Sequence, residues 1–334
     1  MKELAYSVVI RTTGKAGEKY QRLLNSIDAL EPKPQEVIVV LPEGYELPPE
    51  RLGWETFYFC KKGMVTQRLY GIQVCRTPYA LICDDDIAFG PDFVQQLARP
   101  VVDGEYGISA GPLMELFPPR GMQSVFWALG AAAVPARNAD APYTAMLRST
   151  GYVYNRNIDL EHTRIYEAQS YCWACFFADM EKLRSIRMED ELWLDHMGYS
   201  AHDDTVMFYK AWRRGVKTAI VSTATYQHLD GKTSTQGRPV QVKRAMGFTR
   251  AVLWYRFFYE QASGWEKPWC AVCIAYRTLF QSATDLVRCI AGKRPFAEVK
   301  AYVDGTIYAL KWVKTEEYRN IPKLLEKAPA IAEK

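Results

Sequence analysis

A continuous β-branched run from Val37 to Val40 is the feature that most constrains the fold of this chain. Such a run is typical of a strand buried on both faces, because it leaves no polar side chain for solvent. The preceding segment, residues 18–30, carries leucine and isoleucine at helical spacing and is ended by Pro32 and Pro34. The pattern predicts a helix followed by a buried strand.

The same alternation extends through the first hundred residues. Further strand patterns occur at residues 7–10, 57–60 and 79–83, and helical patterns at 65–75 and after Pro91. Strands separated by helices predict a mainly parallel sheet flanked by helices, the α/β class of fold. Residues 112–169 are less regular and are expected to form loops and a hairpin. Beyond them we predict a strand at 171–177, a helix at 203–214 and a strand at 217–221.

After about Pro239 the composition changes, because basic residues alternate with aromatic ones. Residues 243–258 and 269–290 are predicted to be helices, so residues 239–334 form a helical C-terminal extension. Two interpretations of this extension stay open. Its helices either pack against the rest of the protein or lie on an anionic membrane surface, with aromatic rings in the interface and Arg and Lys on headgroups.

The composition excludes some classes of protein. Of the 334 residues, 49% are hydrophobic and 24% charged, which is typical of a folded globular protein. The formal net charge of +4 is too small to favour nucleic-acid binding. With no segment that reads as a signal peptide or membrane span, and eight cysteines expected to be reduced, we predict a cytoplasmic protein. The CxxC spacings at Cys172 and Cys270 favour buried thiols over zinc.

Three consecutive carboxylates, Asp84, Asp85 and Asp86, follow the fourth predicted strand. Because side chains alternate along a strand, Asp84 and Asp86 are expected on one face and Asp85 on the other. Neighbouring carboxylates repel, and a divalent cation such as Mg²⁺ or Mn²⁺ relieves that repulsion. The carboxyl end of a strand is also where open α/β sheets bind ligands. The alternative is a solvated acidic turn.

A second pair of carboxylates, Asp203 and Asp204, begins a predicted helix. Asp203 is a suitable N-cap, and a helix start alone would explain both residues. If one carboxylate caps the helix, the other could face a cleft as a general base. His228, after a strand-like segment, could reach the same cleft as a metal ligand.

Gly63 opens the helical pattern at residues 65–75, between Lys62 and Arg68. Backbone amides at a helix start, together with a cation, could hold a pyrophosphate. A surface cation is the alternative interpretation.

Taken in order, these segments resemble the family 2 glycosyltransferases, which have the nucleotide-sugar-binding GT-A fold. The resemblance covers about residues 6–235 and rests on five motifs, each weak alone but correctly ordered and spaced. The motifs are Ser7 to Thr12, Lys62 to Arg68, Leu81 to Asp86, Asp203 to Met207 with Lys210, and His228 with Gly231 and Ser234.

The resemblance implies an inverting, metal-dependent transfer of a sugar from a nucleotide-diphosphate donor to an acceptor hydroxyl. It implies Asp204 as the base, with Asp203 beside it in a secondary role. Asp86 and His228 would be ligands of Mn²⁺ or Mg²⁺. The implied donor-binding residues are Arg11, Thr12, Thr13, Glu43, Gly63, Arg68, Asp84 and Asp85.

The chain departs from the family at the second strand, which usually ends in two aspartates that read the base and ribose. Here the strand is followed by Glu43, which could substitute, and UDP or dTDP is the expected nucleotide. The resemblance divides the chain into a GT-A catalytic domain, residues 1–238, and the extension, 239–334. The donor half would be about 1–110 and the acceptor half about 111–238.

The resemblance also implies a glycan or a lipid-linked acceptor, as in the synthesis of bacterial surface polysaccharides. A peripheral position at the inner face of the cell membrane is a further expectation. Two other functions stay open: a sugar nucleotidyltransferase, which would release pyrophosphate, and a glycan-binding or scaffolding protein without turnover.

Overall fold

A computed structural model describes residues 4–149, 151–229 and 237–324. Within these ranges the strands form a ten-stranded sheet and a separate two-stranded one. The strands are β1 (Tyr6–Arg11), β2 (Glu36–Pro42), β3 (Thr56–Cys60), β4 (Tyr79–Asp84), β5 (Ile87–Phe89), β6 (Ile108–Ala110), β7 (Thr144–Ala145), β8 (Val153–Tyr154), β9 (Ile165–Ala168), β10 (Cys175–Asp179), β11 (Thr218–Val221) and β12 (Tyr226–His228).

The α-helices flank the sheet and then form the C-terminal extension. They are α1 (Glu18–Asp28), α2 (Met64–Val74), α3 (Phe93–Val102), α4 (Gln123–Ala131), α5 (Met180–Ser185), α6 (Asp203–Arg213), α7 (Pro239–Trp254), α8 (Glu266–Ile290), α9 (Phe296–Trp312) and α10 (Glu316–Arg319). A 3-10 segment at Met188–Met197 precedes α6, and a π-helical turn at Tyr255–Tyr259 follows α7.

The large sheet has the order β3-β2-β1-β4-β10-β6-β11-β9-β7-β8, and five of its nine neighbouring pairs are parallel. The first four strands are all parallel, as their buried β-branched runs predict. In the β1–β4 register Arg11 lies opposite Asp84. The carboxyl ends of β1, β2 and β4 therefore share one edge. The predicted α/β fold with a C-terminal helical extension is confirmed.

Two segments differ from their sequence prediction. Part of the irregular stretch is a helix, α4, rather than loop or hairpin. The strand predicted at 171–177 begins only at Cys175. The residues before it are buried and are not in a strand, although the Ala174 carbonyl still accepts a hydrogen bond from the Asp84 amide at 2.8 Å. A short buried apolar run does not reveal whether its backbone pairs as a strand.

One hydrophobic core runs from the sheet into the extension, with Phe248 and Trp312 among its members. Glu191, fully buried, accepts two hydrogen bonds from Arg256 at 2.8 and 2.9 Å and lies 2.8 Å from the Lys210 ammonium. This cluster joins the extension to α6. The domain division at residue 238 stays a prediction, because the core is continuous across it.

The two predicted helices of the extension behave differently. In α7, Trp254 and the neighbouring Arg256 are buried, so this segment packs against the rest of the protein. On α8, large apolar side chains remain exposed: Trp265, Trp269, Val272, Leu279, Leu286, Val287 and Ile290. Among the described helices, none is long and apolar enough to cross a membrane.

Candidate active site at the carboxyl edge of the sheet

The three consecutive aspartates have three different sets of partners. Asp84 ends β4 and forms ion pairs with Arg11 and Arg68, at 3.1 and 2.9 Å. Asp85 and Asp86 lie in the following turn, so the expected strand alternation does not continue past Asp84. Asp85 is buried and accepts a hydrogen bond from the Thr12 hydroxyl at 2.5 Å. Burial raises the pKa of Asp85 to about 6.

Arg68 joins the strand end to the start of α6. Its Nη2 donates to both oxygens of Asp84, and its Nη1 forms an ion pair with Asp203. The guanidinium also lies over the Trp173 ring, 4.6 Å from its centroid. Only 4% of Arg68 is exposed. The structure thus places this predicted donor-binding residue between two carboxylates, where it positions them.

Asp204 follows at the first turn of α6. The N-cap is His202, in the left-handed conformation (φ 67°), so Asp203 is the first helical residue rather than the cap. Asp204 Oδ1 accepts from the Thr205 amide at 2.6 Å. Burial, and next the charge of Asp203, raise the pKa of Asp204 to about 7. A carboxyl group that ionises near neutral pH is suited to act as a general base.

Asp86 and His228 face each other, because β12 pairs with β5 and places His228 opposite Ile87. His228 Nε2 lies 3.6 Å from Asp86 Oδ1. The hydrogen bond to Asp86 raises the pKa of His228 to about 9, so the ring is an imidazolium near neutral pH. The predicted loop residues Gly231 and Ser234 lie outside the described residues.

The Asp86–His228 pair fits a divalent cation in part. An imidazole nitrogen and a carboxylate oxygen 3.6 Å apart are donor types that could hold Mn²⁺ or Mg²⁺ together. Glu115 Oε2 lies 3.5 Å from His228 Nδ1, on the side where metal-bound histidines commonly donate to a carboxylate. No group of three or more His, Cys, Asp or Glu side chains converges for a metal among the described residues.

The start of α2 differs from the predicted pyrophosphate cradle. The amides of Val65 and Thr66 donate to the Asp195 carboxylate at 3.2 and 2.9 Å. A Cβ on Gly63 would lie 2.3 Å from Asp195 Oδ2, so a glycine is needed for this carboxylate to approach. The helix start is therefore capped by Asp195, and the amides of Val65 and Thr66 are not open to a phosphate.

A cavity of about 100 Å³ beside Gly63 is instead lined by cationic side chains, and we call it the cation cavity. None of the described residues that line it is acidic. Its cationic lining residues are Arg11, Lys15, Lys62 and Arg238, and Thr13 and Tyr45 also line it.

Tyr45 organises two of these cations. Its hydroxyl accepts from the Lys62 ammonium at 2.5 Å, and Lys15 and Lys62 lie 5.4 and 5.0 Å from its ring centroid. Glu43, just before this loop, is exposed. An adjoining cavity of about 390 Å³ shares Thr13, Lys15 and Tyr45 with the cation cavity and is also lined by Glu46. Together the two spaces can hold a polyanion and a group of larger size.

The turn after β1 is fixed by buried polar contacts. Gln67 Nε2 donates to the carbonyls of Thr12 and Val40 at 3.1 and 3.2 Å, and the Gly14 amide donates to Thr12 Oγ1 at 2.9 Å. Thr13 Oγ1 is buried and has no hydrogen-bond partner among the described residues. Of the predicted donor residues, Thr12 therefore shapes the turn, whereas Thr13 faces the cation cavity.

Sequence reasoning missed several residues of this site. Glu115 and Asp195 lie in segments without a periodic pattern, so no local signal points to them. Lys15 and Tyr45 could have been suspected, because each lies in a loop that follows a predicted strand.

No family model matches the chain, and no curated protein matches it. Among solved structures, it is similar to the mannosyltransferase PcManGT from Pyrobaculum calidifontis in complex with GDP-Man and Mn²⁺. The identity is 13%, over 93% of this chain and 88% of that one, with a TM-score of 0.48. It is also similar to S. aureus TarS 1-349, at 11% identity over 92% of each chain, with a TM-score of 0.42.

A third similar structure is GalNAc-T7 with UDP, GalNAc and Mn²⁺, at 12% identity over 88% of this chain and a TM-score of 0.46. The chain spans 58% of the length of that structure. These are distant likenesses of shape.

Proposed function

We propose that this protein is an inverting, metal-dependent glycosyltransferase that moves a sugar from a nucleotide-diphosphate donor to an acceptor hydroxyl. The observation that carries the proposal is the ion-pair chain from Asp84 through Arg68 to Asp203. Because Asp204 is the next residue after Asp203, these ion pairs hold the Asp204 carboxyl, whose pKa is about 7, near the edge of the sheet where β4 ends. A base is thereby held next to a ligand-binding edge, which is what sugar transfer needs.

The donor diphosphate would occupy the cation cavity. Arg11, Lys15 and Lys62 supply positive charge there, and charge-assisted hydrogen bonds to phosphate are among the stronger protein contacts. The Tyr45 ring offers an aromatic face beside them for the base of the nucleotide. The exposed Glu43 carboxylate would accept hydrogen bonds from the ribose hydroxyls. UDP or dTDP stays the expected nucleotide.

Asp86 and His228 would hold Mn²⁺ or Mg²⁺, with Glu115 orienting the imidazole. Such an ion supplies positive charge to the leaving diphosphate. Ligation requires a neutral imidazole, so His228 would release its proton on loading. Asp84 and Asp85 are already engaged by arginines and by Thr12, and would position the turn.

Asp204 would accept the proton of the acceptor hydroxyl as that oxygen attacks the anomeric carbon. A single base is enough for direct displacement, and direct displacement inverts the configuration. Membership of family 2, and the assignment of residues 1–238 as a GT-A catalytic domain, belong to the same proposal.

The proposal is tested by incubating the full chain with a panel of nucleotide sugars, Mn²⁺ and glycan acceptors. Release of nucleoside diphosphate supports it. In a parallel incubation with nucleoside triphosphates and sugar 1-phosphates, release of pyrophosphate would instead indicate a nucleotidyltransferase, and tight glycan binding without any release in either incubation would indicate a scaffolding protein. Either result would refute the transferase assignment.

The proposed acceptor is a glycan or a lipid-linked glycan, with the protein on the inner face of the cell membrane. The exposed apolar side of α8 supports this placement. Lys267, Arg288 and Lys293 are exposed on and after the same helix and would meet anionic headgroups.

A further inference from the structure

A cavity of about 520 Å³ lies between α4, α7, α8 and the segment that follows β6. We call it the arginine cavity, because Arg250 from α7 and Arg277 from α8 line it. Most of the other lining residues are aromatic, among them Phe117, Trp127 and Tyr152. Aromatic faces of this kind offer apolar contact to a sugar ring or to an alkyl chain.

The two arginines bring concentrated positive charge to this cavity. Arg250 is only 8% exposed, and burial, followed by the charge of Arg277, lowers the pKa of Arg250. Arg277 donates to the Gly130 carbonyl and to Gln281 at 3.4 Å each. Its Nε is buried without a hydrogen-bond partner among the described residues. An anion bound by both guanidiniums would offset the repulsion between the two positive charges.

The arginine cavity adjoins the proposed reaction centre on two sides. After the larger effect of burial, the charge of Asp204 contributes to raising the pKa of Tyr152, which lines the cavity. Glu115 also lines it and lies 3.5 Å from His228. The arginine cavity therefore lies near the proposed base and, through Glu115, beside the proposed metal ligand His228.

The rim of the cavity on the α4 side is apolar. Phe126 lines the cavity and is itself 66% exposed. Met122, Val125 and Leu129 beside it are 76%, 52% and 52% exposed. At its far end α4 packs closely on α8, where a Cβ on Gly130 would lie 2.8 Å from the Phe280 ring. An apolar chain leaving the cavity would thus continue over apolar surface.

We propose that the arginine cavity binds the acceptor of the transfer, and that this acceptor carries a phosphate group, held by Arg250 and Arg277, next to an apolar chain. A phosphate has close to two negative charges and three acceptor oxygens, which match two guanidiniums, whereas one arginine matches a carboxylate. The inference rests on the proposed function, because it takes Asp204 as the base that the acceptor approaches.

Calorimetry on the full chain, without any donor, tests the inference with three probes: n-octyl phosphate, n-octyl glucoside and inorganic phosphate. We expect octyl phosphate to bind most tightly. Arg277→Gln should weaken its binding at least about tenfold, because a charge-assisted contact is lost. Arg164→Gln is the matched control, since Arg164 is 51% exposed, pairs with Asp159 and does not line the cavity, and it should change nothing.

Equal affinity of octyl phosphate for the Arg277→Gln variant and the unchanged chain would overturn the inference, as would tighter binding of octyl glucoside. If inorganic phosphate binds as tightly as octyl phosphate, the proposal that the acceptor carries an apolar chain is refuted. Arg250→Gln is a second variant, with thermal unfolding as the check on its fold. Calorimetry measures binding and not turnover. Failure of the nucleotide-sugar panel would therefore contradict the proposed function without changing the binding result, and failure to bind octyl phosphate would contradict this inference without changing the outcome of the panel.

Discussion

Arg68 donates from one nitrogen, Nη2, to both carboxylate oxygens of Asp84, at 2.9 and 3.0 Å. Its other terminal nitrogen pairs with Asp203, which is 135 residues away in the sequence. One buried side chain therefore fixes the distance between the end of β4 and the start of α6. The proposed base and the proposed donor site lie on either side of this contact.

Replacing Arg68 should destabilise the fold. In Arg68→Met, Asp203 loses its ion pair while staying buried, and removing one partner of a buried pair costs about 3–5 kcal/mol. Denaturant unfolding measures the change. Lys33→Met is the control, because the Lys33–Asp28 pair is 56% and 71% exposed, and its loss should cost less than about 1 kcal/mol. Equal stability of the two variants would contradict the structural role of Arg68.

Removing Asp86 should weaken metal binding. We expect Asp86→Ala to lower the affinity for Mn²⁺ measured by calorimetry with UDP present, and Glu115→Gln to lower it by about 10- to 100-fold through the imidazole. His162→Ala is a matched control, since His162 lies 3.2 Å from Asp159 and is 78% exposed. Unchanged Mn²⁺ affinity in Asp86→Ala would remove this pair from the metal site.

Transfer should depend on pH through Asp204. Since the pKa of Asp204 is raised to about 7, the base is protonated and inactive at low pH. At saturating Mn²⁺, which keeps His228 deprotonated, kcat/KM should rise with pH and level off above about 7. Asp85, with its pKa raised to about 6, is the competing assignment. The rise should therefore persist in Asp85→Asn. If the rise of kcat/KM with pH disappears in Asp85→Asn, the titrating group is Asp85, and the assignment of this pH dependence to Asp204 is wrong.

The exposed side of α8 should bind anionic vesicles at low salt and release them as salt screens the charges. Trp269→Ser should reduce this binding, because Trp269 is 50% exposed on the apolar side. Trp54→Ser, at a tryptophan that is 43% exposed elsewhere, should not. A sedimentation assay that finds no binding to anionic vesicles would refute the proposed membrane surface.

Local sequence pattern was enough to predict the edge of the sheet. The buried runs of β1, β2 and β4 gave parallel strands, and parallel strands end together. This is why Arg11 and Asp84 become neighbours in the register. The helix start at Asp203 was likewise predictable from its carboxylates.

The contacts that complete the site were beyond sequence reasoning. Asp195 caps α2 from 129 residues away, and nothing in the pattern around Gly63 distinguishes a carboxylate of the chain from a phosphate ligand. Arg68 was predicted to bind the donor, because nothing in the local pattern shows that its partners are the carboxylates of Asp84 and Asp203. Long-range ion pairs depend on how the chain crosses over, and local periodicity carries no information about that.

The most direct test of the account compares donor binding with turnover in Asp204→Asn. The substitution keeps the size of the side chain and removes its ability to accept a proton. We predict that transfer falls by roughly 100- to 10,000-fold, while the dissociation constant for the nucleotide sugar is unchanged. Retained transfer, or an equal loss of transfer and donor binding, would contradict the assignment of Asp204 as the base.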